Sequence, residues 1–389
     1  MSLNLRMPAF IVTLIVVTSL TGSSQEIDSI SIARNRLIAH ADSLMASYQF
    51  SAALNALPAG DSSDIGILLR IGQCNFRLGA SSGAIEPYQR VLRIDSSNIT
   101  ALNQLGMLYS RDGDYAAAFS SFVSLSQLDP RNAYYWKQAG SMATKLEDLD
   151  GAASMFREAL KLNPADMEAY VALGNILMGM EQYKSVDSLA LLAFAMEPKF
   201  KPMKILRARS AFEQRDYRSA VITVNDILQT SDTTVLYARM LGVCYFNLGE
   251  HDKVPACMFF LLKNRLEDDW IYYYMGVAER ELGNAEGAVA WFKMATTKSI
   301  SENTSIYLTQ LGLTYEQTGE HQHAIKAYRD AYNYSHDGIL LYHLARNYDV
   351  YYKTKSPALT HYRKYLASDD TTRLAREYAR RRLQAMGDF

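Results

Sequence analysis

Cysteine is scarce in this chain of 389 residues, which contains only Cys74, Cys244 and Cys257. So few cysteines exclude a fold that depends on a network of disulfide bonds. We expect all three side chains to act as small apolar fillers of the interior. A bond between Cys244 and Cys257 stays open as an alternative, although disulfide geometry restricts which pairs can form.

Sequence motifs for metal and phosphate binding are also missing. There is no HExxH or paired CxxC for a metal, and no GxxxxGKS/T or GxGxxG for a phosphate. Basic and acidic residues nearly balance, at a net charge of -1, so no attraction of the whole chain to nucleic acid is indicated. We therefore expect no catalytic residues, no metal site and no cofactor, in a protein that is not an enzyme.

One apolar run stands apart at the amino terminus. Pro8–Leu20 follows the positive charge of Arg6 and precedes the small residues of Thr21–Ser24. This order is typical of a cleavable secretory signal peptide, and the run is shorter than the ~20 residues that span a membrane. We predict a signal peptide over 1–24 and an exported mature protein in the periplasm or facing the outside of the cell. An uncleaved membrane anchor at the amino terminus is the alternative.

The chain also contains an internal repeat of 34 residues. Ile99–Asn132 and Ala133–Asp166 align without a gap, and self-similarity at such a period indicates an array of stacked repeats. Spacings of three and four place the apolar residues on one helical face, so each unit is predicted to be two amphipathic helices. Small residues recur first at Gly72, Gly106, Gly140, Gly174, Ala208, Gly242, Gly276 and Gly312, and again at Ala84, Ala118, Ala152, Val186, Ala220, Val254, Ala288 and Ala324.

Glycine and proline mark the predicted helix ends. Pro130, Pro164 and Pro198 end second helices, because proline cannot continue a helix. Pro255 instead lies inside a predicted second helix, where we expect a kink. The turns between the two helices of a unit are predicted at Gly79, Gly113, Gly249, Gly283 and Gly319.

This pattern resembles the tetratricopeptide repeat, whose unit has small residues at its eighth and twentieth positions and large apolar residues at its fourth and eleventh. Trp136 takes the fourth position of its unit, and Tyr109 takes the eleventh. The resemblance implies an all-α fold, a right-handed α-solenoid of stacked helix–turn–helix repeats. It gives a degenerate first repeat and loop over 25–64, eight repeats over 65–338 and a degenerate last repeat over 339–372.

Residues 373–389 are predicted to form a capping helix, because the open end of a solenoid exposes apolar surface. A basic docking patch is the alternative use of this helix. Its predicted apolar stripe is Leu374, Tyr378 and Leu383, and its predicted outward residues are Arg376, Arg380 and Arg381.

The resemblance also implies a binding surface. In the family, the second, fifth, ninth and twelfth residues of each first helix project into a concave groove. Amides, cations and rings there suit an extended peptide. A clamp for a carboxyl terminus, which one subgroup carries, is not reproduced, since Leu69, Gln73, Lys137 and Ser141 hold its positions. The predicted partner-binding residues are Gln73, Asn103, Lys137, Asn175, Arg209, Phe212, Arg239, Phe246, Trp270, Tyr273 and Arg280.

The aromatic run Trp270–Tyr274 allows two interpretations. Tyr272 holds a packing position and is predicted to be core, whereas Trp270 and Tyr273 either bind a partner or pack on neighbouring repeats. The favoured function is a non-catalytic exported scaffold that binds protein or peptide segments, within a possible envelope complex. The alternative is an accessory factor in envelope polysaccharide handling or secretion, whose tyrosine-rich late units contact glycan.

Overall fold

A computed structural model describes residues 32, 34–57, 63–228, 234–299 and 303–387. These residues form helices joined by short connections, with no strand among them, which confirms the predicted all-α fold. The predicted signal peptide lies outside the described residues. In chain order the helices are α1 (34–46), α2 (Phe50–Ala56), α3 (Ile65–Arg77), α4 (Ser81–Ile94), α5 (Ile99–Asp112), α6 (Tyr115–Leu128), α7 (Ala133–Lys145), α8 (Leu149–Leu162), α9 (Met167–Gly179), α10 (Tyr183–Met196), α11 (Lys201–Glu213), α12 (Tyr217–Leu228), α13 (Val235–Asn247), α14 (Val254–Lys263), α15 (Asp269–Glu281), α16 (Ala285–Lys298), α17 (Thr304–Gln317), α18 (His321–Ser335), α19 (Gly338–Tyr351), α20 (Ser356–Leu366) and α21 (Arg373–Ala385).

The helices form two compact units, one ending at Gln182 and the other beginning at Tyr183. Within each unit, consecutive helices pack against one another along the chain. Each unit is therefore an α-solenoid, in which a helix buries its apolar face against its neighbours in sequence. The odd-numbered helices from α3 to α19 are the first helices of the repeats. None of the described helices is both long enough and apolar enough to cross a membrane.

The repeated small positions have a steric cause. A Cβ atom at Gly106 would lie 2.8 Å from the ring of Phe122, and one at Gly276 would lie 2.7 Å from the ring of Phe292. Both rings are almost completely buried. The two helices of a repeat can approach this closely only because the first helix has no side chain at the crossing. The same contact joins Gly72 to Tyr88, Gly140 to Phe156 and Gly312 to Tyr328.

The turn inside each repeat from α3 to α18 holds one residue in the left-handed region of backbone conformation. Gly113 and Gly283 adopt φ angles of 86° and 85° there, and all five glycines predicted to mark these turns have positive φ. Glu147 and Arg215 occupy the equivalent place in their repeats with φ of 61° and 59°. A residue with a side chain is strained in this conformation by about 1–2 kcal/mol.

The prediction of a kink at Pro255 is wrong. A 3-10 turn over His251–Lys253 precedes α14, and the α-helix begins only at Val254. Pro255 therefore lies in the first turn of α14, where its missing N–H group has no helical acceptor to lose. The repeat accommodates its proline by shortening the second helix.

The helix α21 packs against α20, but the predicted apolar stripe is partly wrong. Leu374 is 70% exposed, and the buried stripe is Ala375, Ala379 and Leu383. Arg376 also does not face outward, because its guanidinium donates hydrogen bonds to the backbone carbonyls of Leu366, Ser368 and Asp370 at 2.7, 3.3 and 2.7 Å. It thereby satisfies acceptors at and beyond the end of α20. Arg380 and Arg381 are exposed, as predicted.

The three cysteines are free thiols, so the alternative disulfide is absent from the structure. Cys74 and Cys244 are buried and Cys257 is half-buried, which fits the role of small apolar fillers. Burial raises the pKa of Cys244 to about 12 and that of Cys257 to about 11. Both thiols are therefore protonated at neutral pH.

Candidate partner-binding groove

The predicted binding residues lie on one side of the first helices. Residues four apart share a helical face, so the fifth and ninth residues of α7, α11, α13 and α15 line the same side of their repeats. We call this side the groove face. In the second unit its members are Ile205, Arg209, Phe212, Arg239, Val243, Phe246, Trp270, Tyr273, Val277, Arg280, Glu316 and Arg346, the last being the ninth residue of α19. Gln73, Asn175, Arg209 and Arg239 are exposed, and Asn103, Lys137, Phe212, Phe246, Trp270, Tyr273 and Arg280 are half-buried.

In the first unit the predicted cation is already paired. The Nζ atom of Lys137 lies 2.7 Å from Asp166 and 3.2 Å from Glu168. Burial disfavours the lysine charge, but these two carboxylates outweigh it and raise the pKa of Lys137. In the same unit the side-chain oxygen of Asn103 is buried and has no hydrogen-bond partner among the described residues.

In the second unit Arg239 and Trp270 meet across neighbouring repeats. The guanidinium carbon of Arg239 lies 5.0 Å from the centre of the Trp270 ring, within the range of a cation–π contact. The indole Nε1 donates a hydrogen bond of 3.1 Å to Asp268, and the ring meets the edge of Tyr274 at 5.7 Å. The Trp270 ring is therefore held on two sides while it supports the arginine.

The remaining rings of the aromatic run pack on their neighbours. Tyr272 is 3% exposed, so its prediction as a core residue is confirmed. The Tyr273 ring lies 5.2 Å from Tyr307 and 6.2 Å from Phe292, which matches the packing alternative. Phe246 packs against Tyr274 with ring centres 4.5 Å apart.

Farther along the second unit, the groove-face charges satisfy one another. Arg280 pairs with Glu281 at 3.0 Å and also donates to Gln310. Arg346 pairs with Glu316 at 2.8 Å, and Arg382 of α21 pairs with Asp349 at 2.7 Å. These interactions neutralise the late part of the groove face.

The sequence did not predict the cluster of Tyr328, His343, Arg346 and Asn347 around Glu316. Tyr328 and Asn347 donate hydrogen bonds to this carboxylate at 2.9 and 3.2 Å. Burial by itself would raise the pKa of Glu316, but the His343 ring 3.8 Å away, the charge of Arg346 and the hydrogen bonds from Asn347 and Tyr328 lower it to about 2. The repeat register could have pointed to Glu316, since it is the twelfth residue of its repeat, a position predicted to face the groove.

A cavity of about 720 Å³ lies away from the groove face. It lies between the second helices α16 and α18, and Leu308, Leu311 and Tyr315 of α17 line its floor. Its rim mixes Lys293 and Lys326 with Glu286 and other acidic side chains. Across the described residues, no group of three or more His, Cys, Asp or Glu side chains is placed to hold a metal ion.

Comparison with known families identifies the repeats. A tetratricopeptide repeat sequence model matches residues 103–166 and 138–179, and a second one matches residues 306–335. These matches and the helix–turn–helix units of the structure show that the chain carries tetratricopeptide repeats, which confirms the resemblance. Tetratricopeptide folds are in general scaffolds for protein interaction.

Three solved structures of similar fold are distant in sequence. A tetratricopeptide repeat protein from Parabacteroides merdae is 18% identical, with a TM-score of 0.43 over 64% of this chain and 98% of that chain. YrrB, described as a tetratricopeptide repeat protein with an unusual peptide-binding site, is 18% identical, with a TM-score of 0.42 over 49% of this chain and 96% of its own. MamA is 23% identical, with a TM-score of 0.38 over 41% and 93%. No curated protein matches the sequence significantly.

Proposed function

We propose that this protein is a non-catalytic scaffold that binds protein or peptide segments on the groove face of its second unit. The observation that carries this function is the group of accessible cations and rings on α11, α13 and α15. Arg209 and Arg239 are exposed, and Phe212, Phe246 and Trp270 are half-buried beside core residues. Rings and arginines held on a rigid helical frame are the side chains that contribute most to protein interfaces.

We also propose that the protein acts after export. The support is the amino-terminal sequence alone, in which Arg6, the apolar run Pro8–Leu20 and the small residues of Thr21–Ser24 follow one another. Sequencing the amino terminus of the protein purified from its own cells tests this. A start near Ser24 or Gln25 supports export, and an intact Met1 in the cytoplasm contradicts it.

Photo-crosslinking in the native cell tests the groove. A photoreactive residue at Ile205 or Val243 would sit on first helices of the second unit, whereas one at Arg218 or Met294 would sit on its second helices as a control. We expect one partner protein to be captured mainly from the first-helix positions. Equal capture from all four positions, or capture only from second helices, would contradict the groove.

Glycan contact is the weaker second proposal. Among the tyrosines of the last repeat, Tyr348, Tyr362 and Tyr365 are buried, and the side chains of Tyr351 and Tyr352 are 45% and 40% exposed. Few rings are therefore available to cover a sugar. Pull-down of the mature protein by purified envelope glycans, reduced by alanine at Tyr351 and Tyr352, would support this function, and no retention would remove it.

A further inference from the structure

We infer that the segment bound on the groove face of the second unit carries acidic side chains, which Arg209 and Arg239 recognise. This inference rests on the proposed groove function and adds the chemical class of the partner. It comes from comparing the state of each cation on the groove face, since a cation that is already paired offers little to a ligand.

Three of these cations are satisfied within the protein. Lys137 pairs with Asp166, Arg280 with Glu281, and Arg346 with Glu316. Each therefore contributes little net positive charge to the groove face. A ligand carboxylate at these places would have to displace a carboxylate that the fold already holds in position.

Arg209 and Arg239 are different. Both are exposed, and neither has a carboxylate partner among the described residues. Glu213 lies one helical turn beyond Arg209 and Asp268 lies beside Trp270, yet neither carboxylate forms an ion pair with the two arginines. The uncompensated positive charge of the groove face is thus concentrated on α11 and α13.

The surroundings of Arg239 prepare it for a carboxylate. The guanidinium carbon lies over the Trp270 ring, 5.0 Å from its centre, and no described residue accepts a hydrogen bond from the Arg239 N–H groups, which leaves them to donate. A guanidinium edge matches a carboxylate in a two-point hydrogen-bonded pair. Because Trp270 is itself held by Asp268 and Tyr274, binding requires less ordering of the arginine than of a free side chain.

The rings nearby set a second requirement on the ligand. Phe212 packs edge-on against Tyr217 at 6.1 Å, and Phe246 packs against Tyr274 at 4.5 Å. Both stay half-buried, so an apolar ligand side chain can cover them. The predicted segment therefore combines acidic residues with leucine or an aromatic residue.

Selection from a random peptide library displayed on phage tests the inference with the full mature chain. Peptides are fused at their carboxyl ends, so only side-chain carboxylates can contribute. We expect enriched peptides to contain Asp or Glu next to an apolar residue. For an enriched peptide made with an amidated carboxyl end, Arg239→Ala and Arg209→Ala should each weaken binding about tenfold or more, as is typical of a hydrogen bond to a charged group.

Arg207→Ala is the matched control, because Arg207 is an exposed arginine on the same helix α11 but off the groove positions. It should change binding by less than about twofold, as for a rim charge outside the contact. Enriched peptides without acidic residues, or equal losses for Arg207→Ala and Arg209→Ala, would overturn the inference and leave groove binding intact. Failure to enrich any peptide would overturn both the inference and the groove function.

Discussion

The contact between Gly106 and Phe122 gives a sharp test of the repeat geometry. Alanine at Gly106 would place a carbon 2.8 Å from the ring, whereas carbon atoms pack at about 3.5–4.0 Å. Phe122 is 1% exposed and packs with Leu102, Leu125 and Met142, so its ring has no space to move into. Overpacking costs about 1–3 kcal/mol, and replacing a helical glycine by alanine returns about 0.5–1 kcal/mol. We expect Gly106→Ala to lose about 1–2 kcal/mol of unfolding free energy.

The chain offers a control and a compensating pair. Nothing lies within 4 Å of a Cβ atom at Gly179, so Gly179→Ala should gain about 0.5–1 kcal/mol. One repeat of the second unit already combines Ala208 with Val224 in place of the ring, both of them buried. The double variant of Gly106→Ala with Phe122→Val should therefore lose about 1 kcal/mol less than the sum of its single variants.

Denaturant unfolding followed by circular dichroism measures these free energies. A Gly106→Ala variant as stable as Gly179→Ala would refute the steric explanation of the small positions. Strict additivity in the double variant would refute it as well, because the ring and the methyl group would then be independent.

Three further predictions concern stability. Tyr362→Phe should leave the unfolding free energy unchanged or raise it, because the Tyr362 hydroxyl is buried without a partner among the described residues. Tyr328→Phe should lower the unfolding free energy by about 1.5–3 kcal/mol, because it loses the hydrogen bond to the Glu316 carboxylate. Equal effects of the two variants in denaturant unfolding would contradict this. Glu147→Gly should raise the unfolding free energy by about 0.5–1 kcal/mol, because it relieves a φ of 61°, and an unchanged or lower midpoint would argue against strain. Since the pKa of Glu316 falls from 4.5 to about 2 on folding, its contribution to the unfolding free energy is present above pH 4.5 and is lost as pH falls toward 2. The unfolding free energy of Glu316→Gln should therefore depend less on pH in that window than that of the unchanged protein. Identical slopes for the two proteins would contradict the assigned pairing.

The fold was predictable because the repeat reports the same contact many times. Gly106, Phe122 and Gly113 each recur at fixed spacing, so a single helix pair could be inferred from its copies. Pro255 shows where that reasoning fails. The second helix of its repeat, α14, begins later than in the other repeats, and the spacing of small residues does not reveal this later start. In α21, which has no second copy, the buried stripe was misplaced by one residue at Leu374. The face that a lone helix buries depends on the surface it packs against.

The repeat register selects the residues proposed for the groove face, but it does not give their charge state. It predicts Lys137, Arg239 and Arg280 as groove residues. It could not show that Lys137 pairs with Asp166 or that Arg280 pairs with Glu281, because each pair depends on the side-chain conformations of two residues. It also could not show that Arg239 stacks on Trp270. These pairings, and not the number of cations, decide which part of the face can attract a ligand.

The most direct test of the central claim measures how strongly the crosslinked partner binds to two double variants. Alanine at both Arg239 and Trp270 removes the cation–π pair of α13 and α15. Alanine at both Lys263 and Met294, exposed residues of the second helices α14 and α16, is the matched control. The groove function predicts a Kd about tenfold or more weaker for the first variant and an unchanged Kd for the second. Unchanged binding in the first variant, or a comparable loss in both, would contradict it.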